Sequence, residues 1–235
     1  MTIVNPLPAD EIHLHAGSHD PNQEQKWCAM EAVAYMAGEE WTDHPRCACP
    51  VIAAFIRKWN DDLEDRDRDR LLVPLLTRLI GSRSIREVQT RRAWMASDWL
   101  VGENAAAWLD LAGIDHGLRA LPPLTADTVA VAMPALTEAR QRAAAARAAA
   151  GAAARDAAWD AAGYAAGAAA GYAARAAAGA AAGAAAWDAA WDAARAAAGD
   201  ATGAAARAAL RPTVETLQQS ALGLLDRMLL VEAAG

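Results

Sequence analysis

The sequence predicts an all-α fold, and three observations carry this prediction. Sixteen four-residue units run from residue 147 to residue 210, and their third and fourth positions are alanine, the best helix former, except at Thr202 and Leu210. Helix start and stop residues delimit several earlier segments. No segment alternates apolar and polar residues as a half-buried strand does. We expect a compact N-terminal helical domain (residues 1–136), a long alanine-rich helical segment forming a rod or a hairpin (137–211), and a C-terminal docking helix (212–235).

Two helices are predicted within the first sixty residues. The first is expected over Glu24–Ala37, because Asp20-Pro21-Asn22 supplies a start signal and Gly38 supplies a stop. The second is expected from Pro50 to Asn60 with Cys49 as its cap, since proline suits the first position of a helix.

A charged helix with an apolar continuation is predicted next. Acids and bases alternate over Asp61–Arg70, where Glu64 and Arg68 are four residues apart, and this spacing is typical of a solvated helix face. The apolar run Leu71–Ile80 continues the helix until a glycine ends it. Pro74 within this run should kink or restart the helix, because proline lacks the backbone N–H that a helix interior needs.

Two further helices complete the N-terminal domain. Ser84-Ile85-Arg86-Glu87 has the pattern of a capping box, which predicts a helix from there through Val101. Another helix is expected over Ala105–Ala112, and Gly113 should end it. The Leu121-Pro122-Pro123 stretch is expected to be a linker.

Threonines and prolines mark the remaining helix ends. Thr125 and Thr137 are candidate caps around a break at Pro134, and the last helix is expected after Pro212 with Thr213 as its cap. The apolar residues of this last helix recur with heptad spacing. They are Val214, Leu217, Ala221, Leu224, Met228 and Val231. Three heptads are short for a coiled coil, so we expect the helix to dock on the core, with self-association as the alternative.

The composition of the repeat indicates an expanded DNA sequence. Its first position holds only Gly, Arg or Trp and its second only Ala, Asp or Tyr, and the codons within each set are connected by single-base changes. Such drift argues against a defined site in this segment. Each interior glycine costs a helix about 0.8–1.0 kcal/mol relative to alanine, so the glycine-rich stretch Gly163–Gly183 is the expected weak point or hairpin turn. A solenoid with four residues per side and a disordered segment are the alternatives to a helix.

Charge and composition favour a cytoplasmic protein that does not bind nucleic acid. The net charge is −7 and the arginines are interleaved with aspartates, whereas nucleic-acid binders carry a basic face. Residues 1–12 lack a basic stretch followed by an apolar run, so we expect no secretory signal. The longest uncharged stretch of the repeat, Ala161–Ala174, is 14 residues long, and a membrane span needs about 20. Three cysteines, an odd number, do not indicate a disulfide framework.

Histidine and cysteine are concentrated near the N-terminus, where seven of the eight lie between residues 13 and 49. Thiolates and imidazoles are the ligands that zinc prefers. His44, Cys47 and Cys49 fall within six residues, just before the helix predicted at Pro50, and are candidate ligands of a structural zinc ion. Further candidate ligands are Cys28, His15 and His19. The spacing is not that of paired Cys-x-x-Cys units, so an alternative without metal, in which these are core and capping residues, stays open.

A thiol enzyme is the competing hypothesis. Cys49 would sit at a helix N-terminus, where the helix dipole lowers the pKa of a thiol, and Cys28 is the other candidate nucleophile. A nucleophile needs a nearby base, and His15, His19 or His44 would supply one. Such a site, or a catalytic metal, would make the protein a small hydrolase or transferase.

Short motifs within residues 10–80 carry a family resemblance. They are Leu14–His19, Cys28–Glu31, Asp43–Pro45 with Cys47 and Pro50, and Trp59–Asp61. These motifs resemble those of uncharacterised alanine-rich proteins of high-GC actinobacteria and their phages. The resemblance implies a source for the chain, and it carries over no activity and no functional residue.

The sequence therefore favours a non-enzymatic structural or interaction protein with zinc as its candidate cofactor. We expect a protein partner, or self-association, through the alanine-rich and C-terminal helices. The alternatives are the thiol- or metal-dependent hydrolase or transferase and, on the resemblance alone, a phage–host interference protein.

Overall fold

The computed structural model describes residues 3–8, 11–22, 26–149 and 203–232, with side chains except over 143–149 and 203–208. The predictions for residues 150–202 of the repeat, including its glycine-rich middle, lie outside the described residues. Within the described ranges the α-helices are α1 (Ala29–Met36), α2 (Pro50–Asp62), α3 (Asp65–Leu72), α4 (Leu76–Leu79), α5 (Arg86–Trp99), α6 (Ala106–Leu111), α7 (Val129–Ala149) and α8 (Gly203–Leu229).

The described part of the chain is helical, which confirms the all-α class there. The β contact that it contains is an isolated parallel bridge between Leu14 and Trp27. Short 3-10 turns at Val73–Leu75 and Leu118–Ala120 and a π-helix at Leu100–Ala105 join the α-helices. Among the described helices, none is long and apolar enough to cross a membrane.

Two compact units make up the chain. The first comprises residues 1–92 and 225–235, and the second comprises residues 93–224. Fully buried side chains of the first unit include Met30, Ile52, Ile56, Trp59, Leu72, Leu79 and Met228. The second unit has an apolar cluster that includes Val101, Trp108, Leu109, Leu118, Ala132, Leu136 and Leu217.

The predicted start of the first helix at Glu24 is wrong. Trp27 is extended, and its carbonyl accepts a hydrogen bond from the His15 N–H at 2.7 Å. The helix begins after Cys28, which forms a capping box with Glu31. The predicted stop is confirmed, because Gly38 adopts a left-handed φ of 71° just past the helix end.

The second predicted helix is confirmed, with Cys49 as the N-cap residue and Pro50 in the first turn, and it extends to Asp62. The prediction that Arg68 lies on a solvated face is wrong, because this side chain is only 3% exposed. A guanidinium has five N–H donors, so it can be buried where backbone carbonyls surround it, and this is the case here. Pro74 lies in the 3-10 turn between α3 and α4, as the predicted kink requires.

The predicted gap between two helices near Gly102 is closed by the π-helix, so α5 runs into α6 without a break. The two other predicted helix boundaries at prolines are wrong. Pro134 lies inside α7 and Pro212 lies inside α8. Proline costs a helix interior about 3 kcal/mol, but Ala132 and Leu136 on either side of Pro134 are both fully buried in the second unit's cluster. Packing on both sides of the proline therefore outweighs the lost hydrogen bond.

Candidate functional site

The N-terminal loop that carries three of the histidines, residues 13–19, is held by carboxylates from three successive helices. Three backbone N–H groups of the loop each donate to one carboxylate. The pairs are Leu14 with Asp69 of α3 (2.7 Å), Gly17 with Asp61 of α2 (2.7 Å) and His19 with Glu31 of α1 (2.6 Å). Hydrogen bonds to an ionised carboxylate are about twice as strong as neutral ones, so the loop backbone has a defined position relative to the helices.

Carbonyl groups of the same loop are held by long side chains. The donor–acceptor pairs are Arg68 with Leu14 (3.3 Å), Asn60 with His15 (2.7 Å) and Trp41 Nε1 with His19 (2.7 Å). Asn60 is fully buried, and its amide oxygen accepts from the Ala29 N–H at the start of α1. The loop's donors therefore bind α1, α2 and α3, and its acceptors bind α2, α3 and Trp41.

Glu31 is the hub of this network. Its side chain is 1% exposed, and its carboxylate accepts from the His19 N–H, from His19 Nδ1 at 3.0 Å and from the Cys28 N–H at 2.7 Å. The Cys28 sulfur in turn accepts from the Glu31 N–H at 3.5 Å, which completes the capping box. A buried carboxylate needs such partners, and here they are supplied by the cap of α1 and by the loop.

Aromatic residues lie beside the loop of residues 13–19. The His15 and His19 ring centroids are 6.0 Å apart and the rings are at 67° to one another. Trp27 packs on Trp41 at 5.1 Å and on Tyr35 at 5.0 Å. Both tryptophans are half-buried, so this aromatic group forms one wall of the first unit beside the loop.

The three zinc ligands predicted between α1 and α2 differ in their exposure to solvent. His44 is exposed and its Nδ1 pairs with the Asp43 carboxylate, whereas Cys47 and Cys49 are buried. The Cys49 N–H donates to Ser82 Oγ at 2.9 Å, and the Cys47 N–H donates to Glu39 at 2.7 Å. His44 lines a cleft of about 560 Å³ whose other lining residues are Glu39, Glu40, Trp41, Thr42 and Arg46.

Burial changes the chemistry of two of the thiols. Desolvation, reinforced by the nearby Glu31 charge, raises the pKa of Cys28 to about 12, although hydrogen bonds from backbone N–H groups act in the opposite direction. Desolvation and the adjacent Glu39 carboxylate raise the pKa of Cys47 to about 11. The thiolate is the nucleophilic form of cysteine. Both thiols are therefore protonated at neutral pH, which does not favour a thiol-based reaction at either position.

Among the described residues, the structure does not bring three or more His, Cys, Asp or Glu side chains together as a metal site. His15 and His19 are close to one another, and His19 and Cys28 share Glu31 as a partner, whereas His44, Cys47 and Cys49 face different neighbours. Zinc at His44, Cys47 and Cys49 stays a prediction, which elemental analysis of the purified protein would check.

Sequence reasoning missed a second polar cluster, in the second unit. His116, whose side chain is 5% exposed, accepts the Leu118 N–H on Nδ1, and its Nε2 lies 2.9 Å from Asp110. Arg119 also binds Asp110, at 2.7 Å. Desolvation acts to raise the pKa of Asp110, but the hydrogen bonds from Arg119 and His116 lower it below its usual value. A lone histidine six residues from an aspartate gives no sequence signal, because the turn at Gly113, which lies between them, brings the two together.

Comparisons with known proteins add no relative, since no family model, curated protein or solved structure matches this chain.

Proposed function

We propose that this protein is a non-enzymatic structural or interaction protein that presents its alanine-rich segment as a helical hairpin. The observation that carries the proposal is that α7 and α8, which flank residues 150–202, contribute to one apolar cluster of the second unit. Ala132, Leu136 and Ala139 of α7 are fully buried in it, and so is Leu217 of α8.

Helix geometry supports a reversal of the chain between these helices. A straight helix over the 53 residues from 150 to 202 would be about 80 Å long, at 1.5 Å per residue. Ala149 is ten residues beyond Ala139 and Gly203 is seven residues before the partly buried Leu210, which amounts to about 15 Å and about 10 Å of helix. Ala149 and Gly203 are separated by no more than these two helical extensions plus the width of one cluster, and this sum is less than about 80 Å. Two helices joined by a turn would connect ends that lie this close together, and we place the turn in the glycine-rich stretch Gly163–Gly183.

The remaining side chains favour a binding role over a catalytic one. The thiol of the predicted nucleophile Cys28 is held protonated, as is that of Cys47, and Glu31 is occupied by three donors. In a hairpin, small residues let two helices approach closely. The Trp, Arg and Asp positions of the repeat spiral around each helix, since four residues overshoot one helical turn. Such a surface suits a protein partner or a second copy of the chain.

Distances between spin labels test the hairpin in the full chain. Ala157→Cys and Ala189→Cys are 32 residues apart, so a straight helix separates them by about 48 Å. In a hairpin with its turn near residue 173, the two positions face each other on helices whose axes are about 8–10 Å apart. The native thiols are buried, so the introduced cysteines are labelled selectively, and the unsubstituted chain is the labelling control.

A short interlabel distance, below about 25 Å, is the expected result for helices at this spacing. The matched pair Ala157→Cys with Ala173→Cys should give about 24 Å if that arm is helical. A main distance near 48 Å for the first pair, or a broad distribution without a short component, would overturn the proposal. Light scattering over a range of protein concentrations then distinguishes self-association from a role for a different protein partner.

A further inference from the structure

The loop of residues 13–19 places two imidazoles side by side. The His15 and His19 ring centroids are 6.0 Å apart. Both backbones are fixed, because the His15 carbonyl accepts from the buried Asn60 and the His19 N–H donates to the buried Glu31. The positions of the two histidine backbones are thus set by the fold of the first unit.

His19 has the hydrogen bond that metal-binding histidines usually have. Its Nδ1 lies 3.0 Å from the Glu31 carboxylate, and both side chains are almost fully buried. A histidine that ligates a metal almost always donates its other ring N–H to a carboxylate, a carbonyl or water, which fixes the tautomer and makes the ligating nitrogen more basic. With Nδ1–H donated to Glu31, the lone pair of His19 is on Nε2.

The spacing of the two rings is compatible with one shared ion. A zinc–nitrogen bond of about 2.0–2.1 Å places the ion roughly 3.2 Å from the centre of each imidazole ring, so two rings on one ion have centroids at most roughly 6.4 Å apart. The observed 6.0 Å is within this limit. Two rings at a tetrahedral angle have centroids roughly 5.2 Å apart, so binding requires the half-buried His15 ring to turn toward His19.

We propose that His15 and His19 form a two-nitrogen site for a divalent transition-metal ion, with Glu31 as the positioning residue. Solvent completes the coordination shell, since the described residues add no third His, Cys, Asp or Glu ligand. The site therefore differs from the zinc site predicted from His44, Cys47 and Cys49, and it is open and exchangeable rather than a closed structural site. It is also independent of the hairpin, because its residues all belong to the first unit.

Zinc binding by the full chain without a histidine tag tests the proposal. Titration calorimetry with zinc chloride should show one equivalent per chain, and His15→Gln should weaken binding at least tenfold. The described hydrogen bonds of His15 all come from its backbone, through its N–H and its carbonyl, so this variant keeps the loop in place. His13→Gln and His44→Gln are matched controls, since these two rings are 76% and 67% exposed and pair with other carboxylates. Both controls should bind zinc as the wild type does.

Glu31→Gln separates positioning from folding. Glutamine keeps one oxygen for the reciprocal cap with Cys28 but turns an NH2 group toward the His19 N–H, so the circular dichroism melt without zinc should move to lower temperature while the spectrum at the titration temperature stays that of the folded wild type. The loss of the carboxylate should still weaken zinc binding by about 10–100-fold, as is usual for such partners. Absence of zinc binding by the wild type, retention of full binding by the double variant His15→Gln, His19→Gln, or loss of binding in His44→Gln would each overturn the proposal.

Discussion

The first unit combines buried apolar side chains with buried charged ones, whereas the described part of the second unit buries an apolar cluster without a buried Asp, Glu or Arg. Every buried Asp, Glu or Arg among the described residues lies in the first unit. They are Glu31, Asp62, Arg68 and Arg92. In the second unit the ion pairs of Arg119 and Arg142 are about half exposed, and the buried contacts come from the cluster around Leu136.

The two units differ in how much of their backbone lies outside helices. The first unit fixes irregular segments, and backbone groups without helical partners need donors and acceptors from side chains. Arg92 illustrates this, because its guanidinium donates to the carbonyls of Ser82, Met228 and Val231. The described part of the second unit is mostly helical, and its backbone groups are already paired, so apolar burial is sufficient there.

The largest expected loss of stability comes from removing a buried charge from the first unit. Arg68 donates to the carbonyls of Asn60 (2.7 Å), Leu63 (2.5 Å) and Leu14 (3.3 Å). Each buried acceptor left without a donor costs about 1–3 kcal/mol, so Arg68→Met should lower the free energy of unfolding in urea by about 4 kcal/mol. Arg66→Met is the control, since Arg66 is 58% exposed, and a similar loss in both variants would contradict the assignment.

Apolar truncation tests the second unit in the same way. Leu136 is fully buried in its cluster, so Leu136→Ala leaves a cavity and should lower the free energy of unfolding by about 3 kcal/mol. Val131 on the same helix is 68% exposed, and Val131→Ala should change it by less than about 0.5 kcal/mol. Urea unfolding measures both, and equal losses would show that the cluster does not stabilise this unit.

Two glycines with similar backbone conformations, one in each unit, should differ in the stability that is lost when alanine replaces them. Gly38 of the first unit and Gly113 of the second have φ of 71° and 68°. Alanine at either position should lower the free energy of unfolding by about 1 kcal/mol, because it must adopt the left-handed conformation. A Cβ at Gly38 would also lie 3.0 Å from Val4 Cγ1, whereas none of the described atoms lies within 4 Å of one at Gly113. Thermal melts should therefore show a larger loss for Gly38→Ala than for Gly113→Ala, and equal losses would contradict the Val4 contact.

The smallest expected effect concerns the half-exposed carboxylate of the second unit. Folding lowers the pKa of Asp110, so the stability that it contributes is present above the unfolded-state pKa, about 3.9, and is lost as the pH falls through the lower folded-state value. Asp110 is 51% exposed, so solvent screens this contribution to less than about 1 kcal/mol. Melting temperatures from pH 6 to pH 2 should fall less steeply for Asp110→Asn than for the wild type. Parallel curves would show that Asp110 does not contribute to the loss of stability at low pH.

Local signals predicted many of the helix ends. The cap at Cys49 with Pro50 and the stops at Gly38 and Gly113 occur where the sequence predicts them. Each depends on the backbone preference of one or two residues, which acts in the same way in any fold. The candidate site was predictable only in part. The histidine-rich loop was identified, but its partners Asp61 and Asp69 are more than forty residues away along the chain.

The sequence by itself determined the all-α class of the described residues and many helix boundaries, because alanine content, caps and glycines act through short-range backbone energetics. Only the tertiary structure decided that helices continue through Pro134 and Pro212, that Arg68 is buried, and that His15 lies beside His19. Each of these outcomes depends on contacts between residues distant in sequence, where burial and hydrogen bonding outweigh local preference. The packing of α7 and α8 in one apolar cluster likewise depends on contacts between residues far apart in the chain.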